Sequence, residues 1–153
     1  MFSKLCFEIF DQCISDYHLE NSIKGKSKNP YEKKDIKYLL YQKNWIDTVQ
    51  WHLEDLIRDP KINPGDALKL KRTIDNSNQK RTDLVEYIDS YFLNKYKNVE
   101  ISNSATFNSE SPAWAIDRLS ILALKIFHMN EETKRKGASE EHKSNCCAKL
   151  EIL

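Results

Sequence analysis

Apolar residues recur along this chain at intervals of three and four, the spacing of helices with one side turned to a core. Phe2, Leu5, Cys6, Ile9, Phe10, Cys13, Ile14 and Tyr17 trace such a stripe and predict an amphipathic helix over residues 2 to about 20. The polar, basic stretch from Asn21 to Lys34, with Gly25 and Pro30, predicts an exposed loop. Asp35 can cap a second helix that Asp59-Pro60 stops after Arg58. Its apolar stripe is Leu39, Ile46, Val49, Leu53, Leu56 and Ile57, with Gln50 at the edge. Asn63-Pro64-Gly65-Asp66 opens a third helix reaching about Tyr96, in which the weak helix formers DNSNQK, Asp75 to Lys80, leave room for a kink. A Ser-, Asn- and Thr-rich loop follows from Asn98 to Glu110.

Ser111-Pro112 then caps a fourth helix to about Met129, whose run WAIDRLSILALKIF is apolar almost all round and is expected to be central and covered on several sides. Ser139 can cap a last helix carrying Cys146, Leu150 and Leu153, which stops without a C-cap and reads as cut short. The pattern therefore predicts an all-α, single-domain bundle of about five helices over residues 1–153.

One position breaks the pattern. The third stripe runs Ala67, Leu70, Ile74, Asn78, Arg81, Leu84, Val85, Ile88, Tyr91 and Phe92, so an arginine sits midway between Ile74 and Ile88. A guanidinium keeps its charge, and desolvating it without a partner is strongly unfavourable, so Arg81 calls for a carboxylate from another helix. Asp117 is the first choice, with Glu54 or Asp47 next, and a polar layer in the core is the consequence. Such a layer is either a ligand site or a structural ion pair.

The second helix carries a further oddity opposite its apolar stripe. Trp51 shares a line with Asp47, Glu54 and Arg58, and a second line holds Trp45, Thr48, His52 and Asp55. Two tryptophans do not suit plain solvent surface, so this face is covered by the rest of the fold, by a subunit interface, or by a ligand. His52 alone has the profile of a hydrogen-bonded structural histidine. On the fourth helix Asp117, Ser120 and His128 fall on roughly one line.

Composition narrows the classes. The 153 residues suffice for one domain with a real core. Charged residues are 31% but nearly cancel at +1, which speaks against the one-sign field of a nucleic-acid or membrane binder. The basic loop from Lys24 to Lys34 is too short to define a nucleic-acid footprint. Glu8 and Asp11 interrupt the N-terminal apolar run, so neither a signal peptide nor a membrane span fits, and a cytoplasmic location is expected. Cys6 and Cys13 are too far apart along one helix for a disulfide, and with Cys146 and Cys147 they show no zinc spacing; reduced core thiols are expected.

Glu86 and Asp89 stand at i and i+3, able to chelate a divalent ion, but the same spacing recurs at Glu8 and Asp11 and reads as a solvated acidic face. The Glu-x-x-His spacing of di-iron bundles, Gly-rich phosphate loops and nucleophile motifs do not occur.

The runs NWIDTVQWHLEDLIRDP (44–60), KRTIDNSNQKRTDLVEYIDSYF (71–92), ESPAWAIDRLSILALKI (110–126) and ASEEH (138–142) resemble the bacterial family called domain of unknown function 4254. The resemblance covers nearly the whole chain, from SKLC to AKLEIL. It implies an all-helical protein that continues past this end with further helices, and it brings no activity and no catalytic residues.

The leading functional expectation is a bundle that binds an anionic small molecule, or a partner's acidic group, at Asp47, Trp51, His52, Glu54, Arg58, Asn78, Arg81 and Asp117, without a cofactor. Guanidinium forks suit phosphate or carboxylate, and an indole suits a flat ring or sugar face. If a reaction occurs there, His52 or Glu54 is the proton acceptor. Two alternatives stand beside it. One is an all-α, metal-dependent phosphohydrolase holding Mg2+ on Glu54, Asp55, Glu86 and Asp89, disfavoured because adjacent Glu54 and Asp55 point about 100° apart. The other is a scaffold protein whose Trp51 face is a homo-oligomer or partner interface.

Overall fold

Side-chain caps set where the helices after the first begin. In the computed structural model, which describes residues 1–153, the chain folds as α1 (Phe2–Glu20), α2 (Ile36–Ile57), α3 (Pro64–Tyr96), α4 (Pro112–Lys134) and α5 (Glu140–Ile152), with no strand. Asp35 accepts from the Lys37 amide at 3.0 Å, Asn63 from Gly65 at 2.8 Å, Ser111 from Trp114 at 3.3 Å and Ser139 from His142 at 3.2 Å. Each satisfies an amide that the first helical turn leaves without a carbonyl. At the end of α1, Asn21 adopts the left-handed conformation at φ 46° and returns its N–H to the Tyr17 carbonyl.

α3 passes through Asp75 to Lys80 without a break. The weak formers are held by their neighbours: Lys71 pairs with Asp75, Gln79 donates to Asp83, and Ile74 is buried. α4 also runs past Met129, to Lys134.

α2 packs on α1, α3 and α4, while α4 touches all four other helices, so the core lies between these two. α5 rests on α4. This enclosure shifts the buried face of α2 away from the expected stripe over its first half. Of the expected stripe Leu53 is buried, as is Gln50 at its edge, but Leu39, Ile46 and Val49 are only half-buried and Leu56 is 48% exposed, whereas Leu40, Tyr41, Lys43, Asn44, Trp45, Asp47 and Thr48 are buried. The reason is that three partners cover more of α2 than its apolar stripe. Polar side chains under that cover bond to one another and to α1 and α4: Tyr41 donates to Asp16 at 2.9 Å and Asn44 to Ser120 at 3.0 Å. The two tryptophans are thus covered by the fold itself, Trp45 fully and Trp51 in part.

All four cysteines are free, with Cys6, Cys13 and Cys146 buried and Cys147 exposed. Burial pushes the Cys6 thiol up to about 11, and Cys13 donates to the Tyr41 carbonyl, so these behave as small core residues. No helix is long and apolar enough to cross a membrane.

Candidate functional site

Arg81 meets its carboxylates across the bundle. Its Nε donates to Asp47 Oδ1 at 2.6 Å and its Nη2 to Asp117 Oδ1 at 3.3 Å, so the polar layer joins α3 to both α2 and α4. Asp117 and Asp47 both fill the partner role foreseen for Arg81, while Glu54 does not. A fourth charge was missed in the sequence. Lys43, with no exposed side-chain surface, is paired with Asp47 one turn along α2 and lies 2.6 Å from Asp117 Oδ1. Two cations therefore face two carboxylates, and the buried layer is neutral.

Hydroxyl and amide groups complete it: Ser120 Oγ donates to Asp47 Oδ2 at 2.6 Å and accepts from Asn44. Burial works against the Arg81 charge, but the pull and hydrogen bonds of Asp47, then those of Asp117, outweigh it and hold the guanidinium above its ordinary value.

The layer opens on one side into a cavity of about 240 Å³. Asp47, Gln50, Trp51, Glu54 and Arg58 of α2, Asn78 and Arg81 of α3, and Ile121 of α4 line it. Six of the residues singled out in the sequence thus share one cavity, with Asp117 behind them on Arg81. Asp47 has both oxygens engaged, by Arg81 on one side and by Lys43 and Ser120 on the other. Arg81 Nη1 donates only to Asn78 Oδ1, at 3.3 Å, and Arg58 at the rim has only Asp55, at 3.3 Å. Gln50 donates to Glu54 at 2.9 Å, which fixes its amide and leaves Gln50 Oε1 buried without a donor.

His52 does not belong to this cavity. It faces α1 and α4, in ring contact with Tyr17, His18 and His128. Burial and the neighbouring His18 lower its proton affinity, against a smaller opposing pull from Asp55. Trp51 divides the two regions, lining the cavity while its ring stacks on His128 at 4.8 Å.

The acidic set Glu54, Asp55, Glu86 and Asp89 is not brought together. Asp55 is exposed beside Arg58, Glu86 is exposed on α3, and Asp89 Oδ1 accepts from the Ala113 amide at 3.1 Å at the start of α4.

The sequence profile of the family described as "Protein of unknown function (DUF4254)" matches residues 37–153. The chain belongs to this family. No curated protein and no solved structure matches the chain. The part matched to DUF4254 contains the whole buried charge layer and every residue lining the cavity. α1, which supplies His18, lies outside the matched span.

Proposed function

We propose that this DUF4254 chain binds a small molecule through an anionic group in the cavity between α2, α3 and α4. One observation carries the reading: the acceptor atoms of Asp47 are used inside the protein and the Glu54 carboxylate is bonded by Gln50, while Arg81 Nη1, held only by Asn78, and the Arg58 guanidinium, held only by exposed Asp55, place two cations around the same 240 Å³ space. Guanidinium donors suit phosphate or carboxylate oxygens, and Trp51 offers an apolar wall for a ring or sugar face. Gln50 Oε1 adds a demand of its own, since it needs a donor such as a ligand hydroxyl or amine. A phosphorylated or carboxylated polyol meets both requirements. The function supported is recognition, because no nucleophile and base stand together in the cavity.

The test is thermal unfolding and calorimetric titration against inorganic phosphate, sugar phosphates, nucleotides and hydroxycarboxylates. Arg58→Ala is the informative variant, because Arg58 is exposed and its removal strands no buried charge. A compound that stabilises the parent should bind about tenfold more weakly to Arg58→Ala, the loss expected for a charge-assisted hydrogen bond. A panel without a stabilising compound, or hits indifferent to both Arg58→Ala and Asn78→Ala, would sink the reading.

A further inference from the structure

Beyond Trp51, three imidazoles from three helices converge. His18 of α1, His52 of α2 and His128 of α4 bring their ligand nitrogens within 4.8 Å of one another. Each ring keeps one nitrogen free of protein hydrogen bonds. His18 Nδ1 lies 2.7 Å from the Ile14 carbonyl oxygen; a carbonyl only accepts, so Nδ1 is the donor and Nε2 is the nitrogen left for an ion. A backbone carbonyl in that position is also the usual outer partner that orients a metal-binding imidazole. The Nε2 atoms of His52 and His128 are buried and have no hydrogen-bond partner.

From this convergence we infer that His18, His52 and His128 form a binding site for a borderline divalent transition metal, zinc or a similar ion. Neutral imidazole nitrogens are the donors that such ions prefer, and three of them leave a fourth tetrahedral position for water or a substrate atom. Tetrahedral zinc with bonds near 2.0–2.1 Å sets the nitrogens about 3.4 Å apart, so the rings need to close by roughly 1 Å or a little more. Aromatic neighbours hold them in place: Tyr17 stacks on His52 at 5.1 Å, Trp51 on His128 at 4.8 Å, and Phe127 lies 4.5 Å from His18.

Burial lowers the proton affinity of His128 to about 4, with the His52 and His18 rings adding to it against Asp55 and Glu132, and His52 is lowered as well. A cavity of about 500 Å³, lined by Trp51, Lys125, His128, Met129 and Glu132 among others, reaches His128 of the three rings. The site is independent of the anion-binding proposal and does not use its residues other than Trp51.

The experiment takes the full chain, stripped with a chelator, and titrates it with cobalt(II) and then zinc(II) alone. One equivalent of cobalt should give the visible absorption of a nitrogen-rich four-coordinate ion, displaced by zinc. X-ray absorption at the zinc edge of the unaltered protein should show three imidazoles near 2.0 Å and no sulfur near 2.3 Å. His18→Gln and His128→Gln should each weaken binding about 100-fold or more, since even outer partners of a metal site contribute 10–100-fold.

His142→Ala should change nothing. His142 Nε2 lies 2.7 Å from Glu132 and 3.5 Å from Cys146 Sγ, and that trio is the competing place for an ion. Sulfur in the zinc shell, loss of binding in His142→Ala, or failure to bind one equivalent overturns the inference. If a histidine variant does not fold, the absorption spectrum of the unaltered protein still decides.

Discussion

Lys43 carries a full charge where no water reaches its side chain. Its ammonium is held by Asp47 and Asp117, and the same carboxylates hold Arg81, so each member of the quartet stabilises two others. Lys43→Met should therefore lower stability by about 3–5 kcal/mol, the usual loss when one side of a buried pair is removed. Adding Asp117→Leu should recover a large part of that loss. It restores neutrality and leaves Arg81 on Asp47, the closer of its two partners at 2.6 Å. Urea unfolding of both singles and the double closes the cycle, and additive losses would mean that the charges do not act as a unit.

His128 gives the complementary, pH-dependent effect. Its proton affinity in the folded chain is about 4 against an ordinary 6.5, so between those values the unfolded chain takes up a proton that the folded chain refuses. Stability should fall as pH drops through that window, by ~1–2 kcal/mol once partial solvent screening is allowed for. The check is the difference in urea midpoint between pH 7 and 4.5, with chelator present. His128→Leu should show a smaller difference than the parent.

At the scale of elements, what was legible in the sequence follows from which forces are local. Helix starts depend on a side chain two or three residues from the amide it satisfies, and Asp35, Asn63, Ser111 and Ser139 cap as their positions suggest. The orientation of α2 depends on what surrounds it, and there the apolar period misleads. Leu39, Ile46 and Val49 form the cleaner stripe, but Asn44, Asp47 and Thr48 are deeper because Ser120, Arg81 and backbone carbonyls bond to them, leaving only Asn44 Oδ1 without a donor.

α3 teaches the same lesson in reverse. Poor helix propensity over Asp75 to Lys80 invites a break, yet Ile74, Leu84, Val85 and Ile88 anchor both sides of that segment in the core, and packing outweighs propensity differences of ~0.5 kcal/mol per residue.

Across the whole molecule, legibility depends on whether a group announces its need for a partner. Arg81 does, because a charge in an apolar stripe must be matched, and its Asp47 and Asp117 partners could be foreseen. Lys43 stands four residues after Leu39 and three before Ile46, in a gap of the stripe expected for α2, but a lysine at a stripe's edge can carry its ammonium out to water along its stem and so does not demand a partner as Arg81 does. The histidine cluster announces nothing, because His18, His52 and His128 are separated by 34 and 76 residues and no local spacing joins them. Only the packing of α1 and α4 against α2 brings those rings together.

That packing also decides how the chain should respond to a cut. Residues 97–109 between α3 and α4 are exposed, Phe107 fully so, and their backbone bonds are confined to two short turns, Val99 to Tyr96 and Ala105 to Ser102. α3 and α4 do not need this connection to stay together, since Arg81 reaches Asp117, Asp89 caps α4, and α2 binds both helices. Limited chymotrypsin treatment should therefore cut first at Phe107. The fragments 1–107 and 108–153 should co-elute as one particle with the helical content of the intact chain. Fragments that part without denaturant would mean that the linker, rather than the buried charge layer and the surfaces around it, keeps α4 in place.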